Sequence, residues 1–321
     1  MSVGAPRIAV TVAEVVDVND LIKRFRFVRT GGGALPMFSG GSHIVVDMDD
    51  HGTRRLNPYS LMSDPSDSLS YTISVRRDDQ GRGGSLYMHR HVTPGMQMQI
   101  GHPVNLFPLD LRGRKHLMIA GGIGITPFMA QMAQLSARGE RFELHYAART
   151  KSLAAYMDDL LARYGDRVHL YLDDQGQALD LKALLAGQPL GTHLYVCGPK
   201  PMLNWVLSTA ESMGWPDGAV HSEEFLAPPV GKPFDVELAA SGKRFTVQGN
   251  QSLLEAIEAA GVDAPYLCRG GACGQCETDI VRCDGELEHN DHWLTADQKA
   301  AGRKIMPCVS RFHGRALALD R

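Results

Sequence analysis

The sequence predicts a multidomain α/β plus β protein: an antiparallel β-barrel, then a parallel α/β domain, then a small C-terminal β-grasp domain. Three observations carry this. Residues 1–111 are short β-branched or alternating segments separated by Gly, Pro and Asp. Residues 112–226 alternate continuous apolar strands with helical segments. Residues 227–321 combine two strands, a capped helix and a cysteine-rich loop, and follow a linker at about 226–233, Ala227-Pro-Pro-Val-Gly-Lys-Pro233.

A chain of 321 residues has room for two or three such domains. Its net charge of −3 and the lack of a basic tract argue against a nucleic-acid partner. No apolar run approaches about 18 residues, so no membrane span is expected. Residues 1–7 carry no apolar leader pattern. A cytoplasmic monomer is the expected form.

In the barrel, strands are expected over 8–16, 22–28, 43–48, 71–76 and 96–100, with one helix over 84–91. Two segments stand out there, Arg54-Arg-Leu-Asn-Pro-Tyr-Ser-Leu61 and Arg82-Gly-Gly-Ser-Leu-Tyr-Met-His89. A Gly-Gly-Ser opening a helix offers free amides, a hydroxyl and the positive helix end, which together suit an anion. The plainer alternative is a turn. Tyr59 offers a ring face or hydroxyl to an aromatic ligand.

In the α/β part, strands are expected over 116–120, 142–148, 168–172 and 193–197, and helices over 129–135, 153–164, 181–185 and 201–213. Ligands of such folds sit outside the carboxyl ends of the strands. Gly121-Gly-Ile-Gly-Ile-Thr-Pro127 lies at one such end and Cys197-Gly-Pro-Lys-Pro-Met202 at another. The glycines allow close approach, and the helix after Thr126 can face a pyrophosphate. Pro127 replaces the third glycine of the dinucleotide fingerprint, and a purely structural strand-to-helix turn remains the alternative. Arg149-Thr-Lys151 could meet a ribose 2′-phosphate or be a solvated turn. Met129, Met132 and Trp205 read as core, and no histidine spacing demands a metal.

The last part opens with a hairpin over 234–239 and 244–247, then a helix from Ser252 with Glu255 completing a capping box and Gly261 ending it. Cys268-Arg-Gly-Gly-Ala-Cys273-Gly-Gln-Cys276 follows, with Cys308 far downstream. The C-x4-C-x2-C spacing with one distant cysteine matches a plant-type 2Fe–2S centre. Zinc, which is usually held by two short-spaced pairs, or reduced structural thiols are the alternatives. Disulfides are not expected without a secretory signal. Cys197 and Cys283 are left over as free buried thiols. Strands are expected near 277–282 and 316–320.

Taken in order, Tyr59-Ser60-Leu61, Gly83-Gly-Ser85, Asn105-Leu-Phe-Pro-Leu109, Gly121 to Pro127, Cys197-Gly-Pro199, His221-Ser-Glu-Glu-Phe225, the cysteine quartet and Met306-Pro-Cys-Val-Ser-Arg311 carry a resemblance over essentially the whole chain. It resembles the phthalate dioxygenase reductase family of one-chain reductases with FMN, NAD and plant-type ferredoxin domains. The resemblance implies that Tyr59, Ser60 and Leu61 line the flavin, and that Gly83, Gly84 and Ser85 hold its phosphate. It implies that Gly122, Gly124, Thr126, Pro127, Cys197 and Gly198 bind the nicotinamide cofactor, that Phe225 closes over the flavin, and that Cys268, Cys273, Cys276 and Cys308 ligate the cluster. The family's arginine two residues before the tyrosine is Asn57 here, so the phosphate role passes to Arg55 or Arg54.

The resemblance further implies FMN, with FAD as the alternative, and NADH, with NADPH as the alternative. Nicotinamides give electrons in pairs and iron–sulfur centres take them singly, so this domain order makes a two-to-one electron converter. The implied acceptor is a Rieske non-haem iron oxygenase, and the alternative is a haem-thiolate monooxygenase or another acceptor. A ferredoxin-like carrier or redox sensor would not need residues 1–225, and a zinc-stabilised interaction module is the remote reading. Arg269, Glu277, Glu286 and Glu288 are the candidate surface charges facing the acceptor.

Overall fold

The computed structural model describes residues 7–50 and 52–321. Residues 1–6 of the segment read for a leader lie outside them. The first unit is a curled antiparallel sheet of β1 (Ile8–Asn19), β2 (Ile22–Arg29), β3 (Ser42–Asp50), β4 (Thr53–Ser60), β5 (Ser70–Arg76), β6 (Gln97–Ile100) and β7 (Val104–Asn105). The order is β4-β3-β6-β1-β2-β5, with β7 also on β3. Its two ends meet just beyond β4, where Met62 N donates to Thr72 O at 2.8 Å. Alternate residues such as Val10, Val12, Phe25, Phe27, Ile44, Val46 and Ile73 fill the interior. β4 is not among the expected strands. Arg54, Arg55, Asn57 and Pro58 break its apolar alternation, and an end strand tolerates the proline because one ladder side is free. α1 (Gly84–His91) coincides with the expected helix.

The second unit is a parallel sheet, order β10-β9-β8-β11-β12, of β8 (Lys115–Gly121), β9 (Phe142–Ala148), β10 (Val168–Leu172), β11 (Thr192–Cys197) and β12 (Val220–Glu223). Its helices are α2 (Thr126–Ala137), α3 (Met157–Tyr164), α4 (Leu181–Ala186) and α5 (Lys200–Ser212). Helix α3 starts later than the apolar pattern implies. Tyr156 takes a left-handed φ of 63°, and its hydroxyl reaches Ser74 Oγ of the barrel at 2.5 Å, so a contact between units overrides the local helical signal. Trp205 is not core: it stands 43% exposed on the outer face of α5. Met132 is fully buried and Met129 partly so.

The third unit contains β13 (Phe234–Leu238), β14 (Lys243–Val247), α6 (Leu253–Ala259), β15 (Thr278–Cys283), β16 (Glu286–Glu288), α7 (Ala296–Ala301), β17 (Lys304–Ile305), β18 (Arg311–His313) and β19 (Ala316–Leu319). The mixed sheet runs β14-β13-β19-β15-β17, with β13 and β19 parallel, and α6 packs Leu253, Leu254 and Ile257 on it. The capping box is formed: Ser252 and Glu255 exchange side-chain-to-backbone bonds. Glu255 also leaves its own unit. Its Oε2 pairs with Arg82 at 2.6 Å and its Oε1 accepts Leu56 N at 3.4 Å, fastening α6 to the barrel. Cys283 is half-buried rather than buried, and its thiol faces Gly285 O.

Candidate redox site

The barrel supplies an anion cradle. Gly83, with φ 102°, turns the chain into α1, and no side chain caps that helix, so its leading N–H groups are left to a ligand. Arg55 lies against this turn: a Cβ on Gly83 would meet the Arg55 guanidinium at 3.1 Å. Arg55 is buried, bonded to Asp50 Oδ2 at 2.9 Å and to Asn250 O at 3.4 Å. Arg54 instead turns outward to Asp47 at 2.6 Å. Of the two candidate arginines, only Arg55 is therefore brought to the glycine turn. Asn57 packs against Gly84 and donates to the Tyr59 hydroxyl at 3.3 Å, while burial pushes the Tyr59 phenol up to about 12. Ser85 Oγ accepts Asp78 N at 3.0 Å. Ser60 is buried beside Tyr59, and Leu61 is fully buried in the barrel core, so a flavin could meet Leu61 only through its backbone.

In the second unit the carboxyl ends of β8 and β11 come together. Residues 122–125 form one tight 3-10 turn before α2, and Pro127 occupies the first turn of α2. Thr126 is buried and donates to Ile123 O at 2.9 Å. A Cβ on Gly124 would overlap the Cys197 carbonyl, and one on Gly198 would fall 3.1 Å from Gly121 N. These glycines thus let the two strand-end turns touch. Gly122 has open space where a Cβ would sit. Cys197 is in register with Glu223 on β12, and burial drives its thiol well up. Burial also pushes the Glu223 carboxyl up to about 8, and its Oε2 is a buried oxygen without a partner. Such an orphaned polar atom calls for a ligand group. Glu223 was not among the residues picked from sequence, although it stands inside the singled-out motif before Phe225. Phe225 follows β12 and is 49% exposed.

The cysteine loop faces the same region. His292 N donates to Gly271 O at 3.1 Å, and His292 Nε2 meets Glu224 Oε2 at 2.8 Å, tying the loop to the end of β12. The four sulfurs fall into two contact pairs, Cys268 with Cys273 and Cys276 with Cys308. Among the described residues, no three cysteine sulfurs lie within 4.8 Å of one another. A tetrahedral zinc with Zn–S about 2.3 Å would draw all four to about 3.8 Å. Two pairs set apart fit two iron atoms, each with two thiolates. The Cys268 thiol is held below the usual range by the hydrogen bond from Cys273, helped by the N–H groups of Gly270, Ala272 and Cys273. Gly270 N–H donates to Cys268 Sγ at 3.3 Å, and backbone donors aimed at sulfur suit a cluster loop. Gly271 and Gly274 have φ 73° and 75°, and side chains there would strike Val309 and Trp293.

Arg269 corrects an expectation. It is buried, pairs with Glu258, and lies 3.7 Å over the Tyr266 ring, so it braces the loop from inside rather than facing a partner. Glu277 pairs with Lys304 and accepts Trp293 Nε1 at 2.8 Å, Glu288 binds His313, and Glu286 is exposed.

An antiparallel barrel with an anion cradle, a parallel nucleotide-type sheet and an iron–sulfur loop in one chain define a multidomain iron–sulfur oxidoreductase. Residues 236–313 match the family model described as a 2Fe-2S iron-sulfur cluster binding domain, and residues 104–220 that of the dimethylamine monooxygenase subunit DmmA-like N-terminal domain. A carnitine monooxygenase reductase subunit of Acinetobacter baumannii is 46% identical over 96% of both chains. A heme-dependent oxidative N-demethylase beta subunit of Ectopseudomonas mendocina is 46% identical over 97% of this chain and 98% of its own. The solved phthalate dioxygenase reductase, described as a modular structure for electron transfer from pyridine nucleotides to 2Fe-2S, is 34% identical, with TM-score 0.88 over 98% of both chains. The chain belongs to the phthalate dioxygenase reductase family.

Proposed function

We propose that this chain is the reductase component of an oxygenase system, drawing electrons from NADH and delivering them to a Rieske-type oxygenase, with FMN as its flavin. The observation that carries the reading is the His292–Glu224 contact, which holds the cysteine loop against the strand end bearing Glu223 and Phe225. When bound, the flavin accepts electrons in pairs and the cluster passes them on singly.

The residues act by holding and shaping. Gly83, Gly84, Ser85 and Arg55 hold the flavin phosphate; Tyr59, Ser60 and the Leu61 backbone line its ring. Gly122, Gly124, Thr126 and Pro127 seat the pyridine nucleotide, and Cys197, Gly198 and Glu223 border its reactive end. Glu223, its carboxyl raised by burial and its Oε2 without a partner, offers a hydrogen-bonding group there. Phe225 covers the flavin. Cys268, Cys273, Cys276 and Cys308 hold the cluster. The same reading assigns the units to 1–111, 112–226 and 227–321 and takes the working form as a cytoplasmic monomer. Among the described residues, no helix is long and apolar enough to cross a membrane.

A haem-containing acceptor is the second reading, favoured by the 46% identity to the heme-dependent demethylase subunit. The two separate by experiment. The NADH-reduced protein is mixed anaerobically with a purified Rieske oxygenase and, separately, with a haem oxygenase. Fast bleaching of the Rieske centre supports the first reading. Reduction of the haem alone supports the second, and transfer to neither overturns both.

A further inference from the structure

β9 and β10 pair in parallel register with His145 opposite His169. One face of this pair is apolar, carrying Phe142, Leu144, Tyr146, Val168 and Leu172 into the core. By the strand period, Glu143, His145, His169 and Tyr171 share the other face. Helices α4 and α5 pack on the neighbouring β8–β11 half of that face, through Leu117, Ile119, Leu194 and Val196. At its margin Glu143 Oε1 lies 2.9 Å from His145 Nε2 and 3.2 Å from His169 Nε2. Each of the three residues offers a ligand atom within 4.8 Å of the others.

We propose that Glu143, His145 and His169 form a binding site for a borderline divalent transition ion such as zinc, unconnected with electron transfer. Two imidazole nitrogens and a carboxylate are a zinc donor set. Zn–N and Zn–O bonds of about 2.0–2.2 Å need tetrahedral ligand spacings of about 3.3–3.5 Å, a few tenths beyond the present hydrogen bonds. His169, stacked on the His145 ring at 4.7 Å, has its side chain 43% exposed, which leaves a fourth position open to water.

The surroundings match what supports a metal ligand. His145 Nδ1 is 2.8 Å from the Tyr171 hydroxyl, fixing Nε2 toward Glu143. Lys115 holds the second Glu143 oxygen, orienting the carboxylate while moderating affinity by its own charge. The site lies in the amino-terminal part of β9, away from the strand ends where nucleotides sit. An ion there would pin edge strand β10 to β9.

The test uses the full-length protein with flavin and cluster loaded, titrated with zinc chloride in a calorimeter, with iron quantified before and after. One zinc per chain, weakened at least about tenfold by His169→Ala and about tenfold by Tyr171→Phe, with iron retained, is the expected result. The wild-type melting temperature should also rise with zinc concentration. Equal zinc binding by wild type and His169→Ala, or zinc uptake matched by iron loss, overturns the proposal.

Discussion

At the residue scale, Gly124 and Arg269 do opposite jobs. Gly124 exists to leave space, since a Cβ would run into the Cys197 carbonyl. Gly124→Ala forces the two strand-end turns apart, at a cost of about 1–3 kcal/mol typical of overpacking. The Michaelis constant for NADH should rise by about tenfold while the cluster spectrum is unchanged; an unchanged constant would contradict the role. Arg269 exists to fill space and balance charge. Arg269→Met leaves Glu258 buried without its partner, at a cost of about 3–5 kcal/mol. Iron content and thermal stability should fall together. Full iron content with only a weaker acceptor interaction would restore the surface role that the sequence implied. Glu223 carries the pH dependence. The folded chain keeps a proton on it up to about 8, which the unfolded chain releases near 4.5. Its contribution to stability is therefore full below about 4.5, falls as pH rises, and is lost above about 8. The melting temperature of wild type minus that of Glu223→Gln should drop across that window, and a flat difference contradicts the burial argument.

At the scale of elements, legibility followed the range of the interaction. Helix α1, the capped α6 and strand β9 carry their signals locally, in a Gly-Gly turn, a Ser-x-x-Glu box and an apolar run. The cysteine loop was legible because its spacing alone encodes a wrapping loop. β4 was not, because its ladder to β3 rather than its own pattern makes it a strand. The start of α3 was not, because Tyr156 answers to Ser74 in another unit. The choice of Arg55 over Arg54 depends on which neighbour in β4 faces α1, and His292–Glu224 joins residues far apart in sequence. Helix α6 is the hinge between local and long-range signals, since Glu255 both caps it and grips Arg82. Glu255→Ala removes both roles. Stopped-flow absorption should then show flavin reduction by NADH near the wild-type rate and cluster reduction slowed several-fold. Equal slowing of both steps would mean that the barrel itself is disturbed.

At the scale of the molecule, the three units are joined pairwise: Arg82–Glu255 and Arg55–Asn250 tie the barrel to the third unit, Tyr156–Ser74 ties it to the parallel sheet, and His292–Glu224 ties the cysteine loop to the end of β12. Such placement serves electron transfer inside one chain and leaves the exposed Trp293 beside the cysteine loop on the outer surface. The most direct test is an anaerobic absorption measurement on the purified protein, with iron and released flavin quantified, as NADH is added. Flavin and iron–sulfur bands should both bleach, the flavin first, with two irons and one FMN per chain. A flavin that bleaches while the cluster stays oxidised, or a colourless zinc-loaded protein indifferent to NADH, would contradict the account.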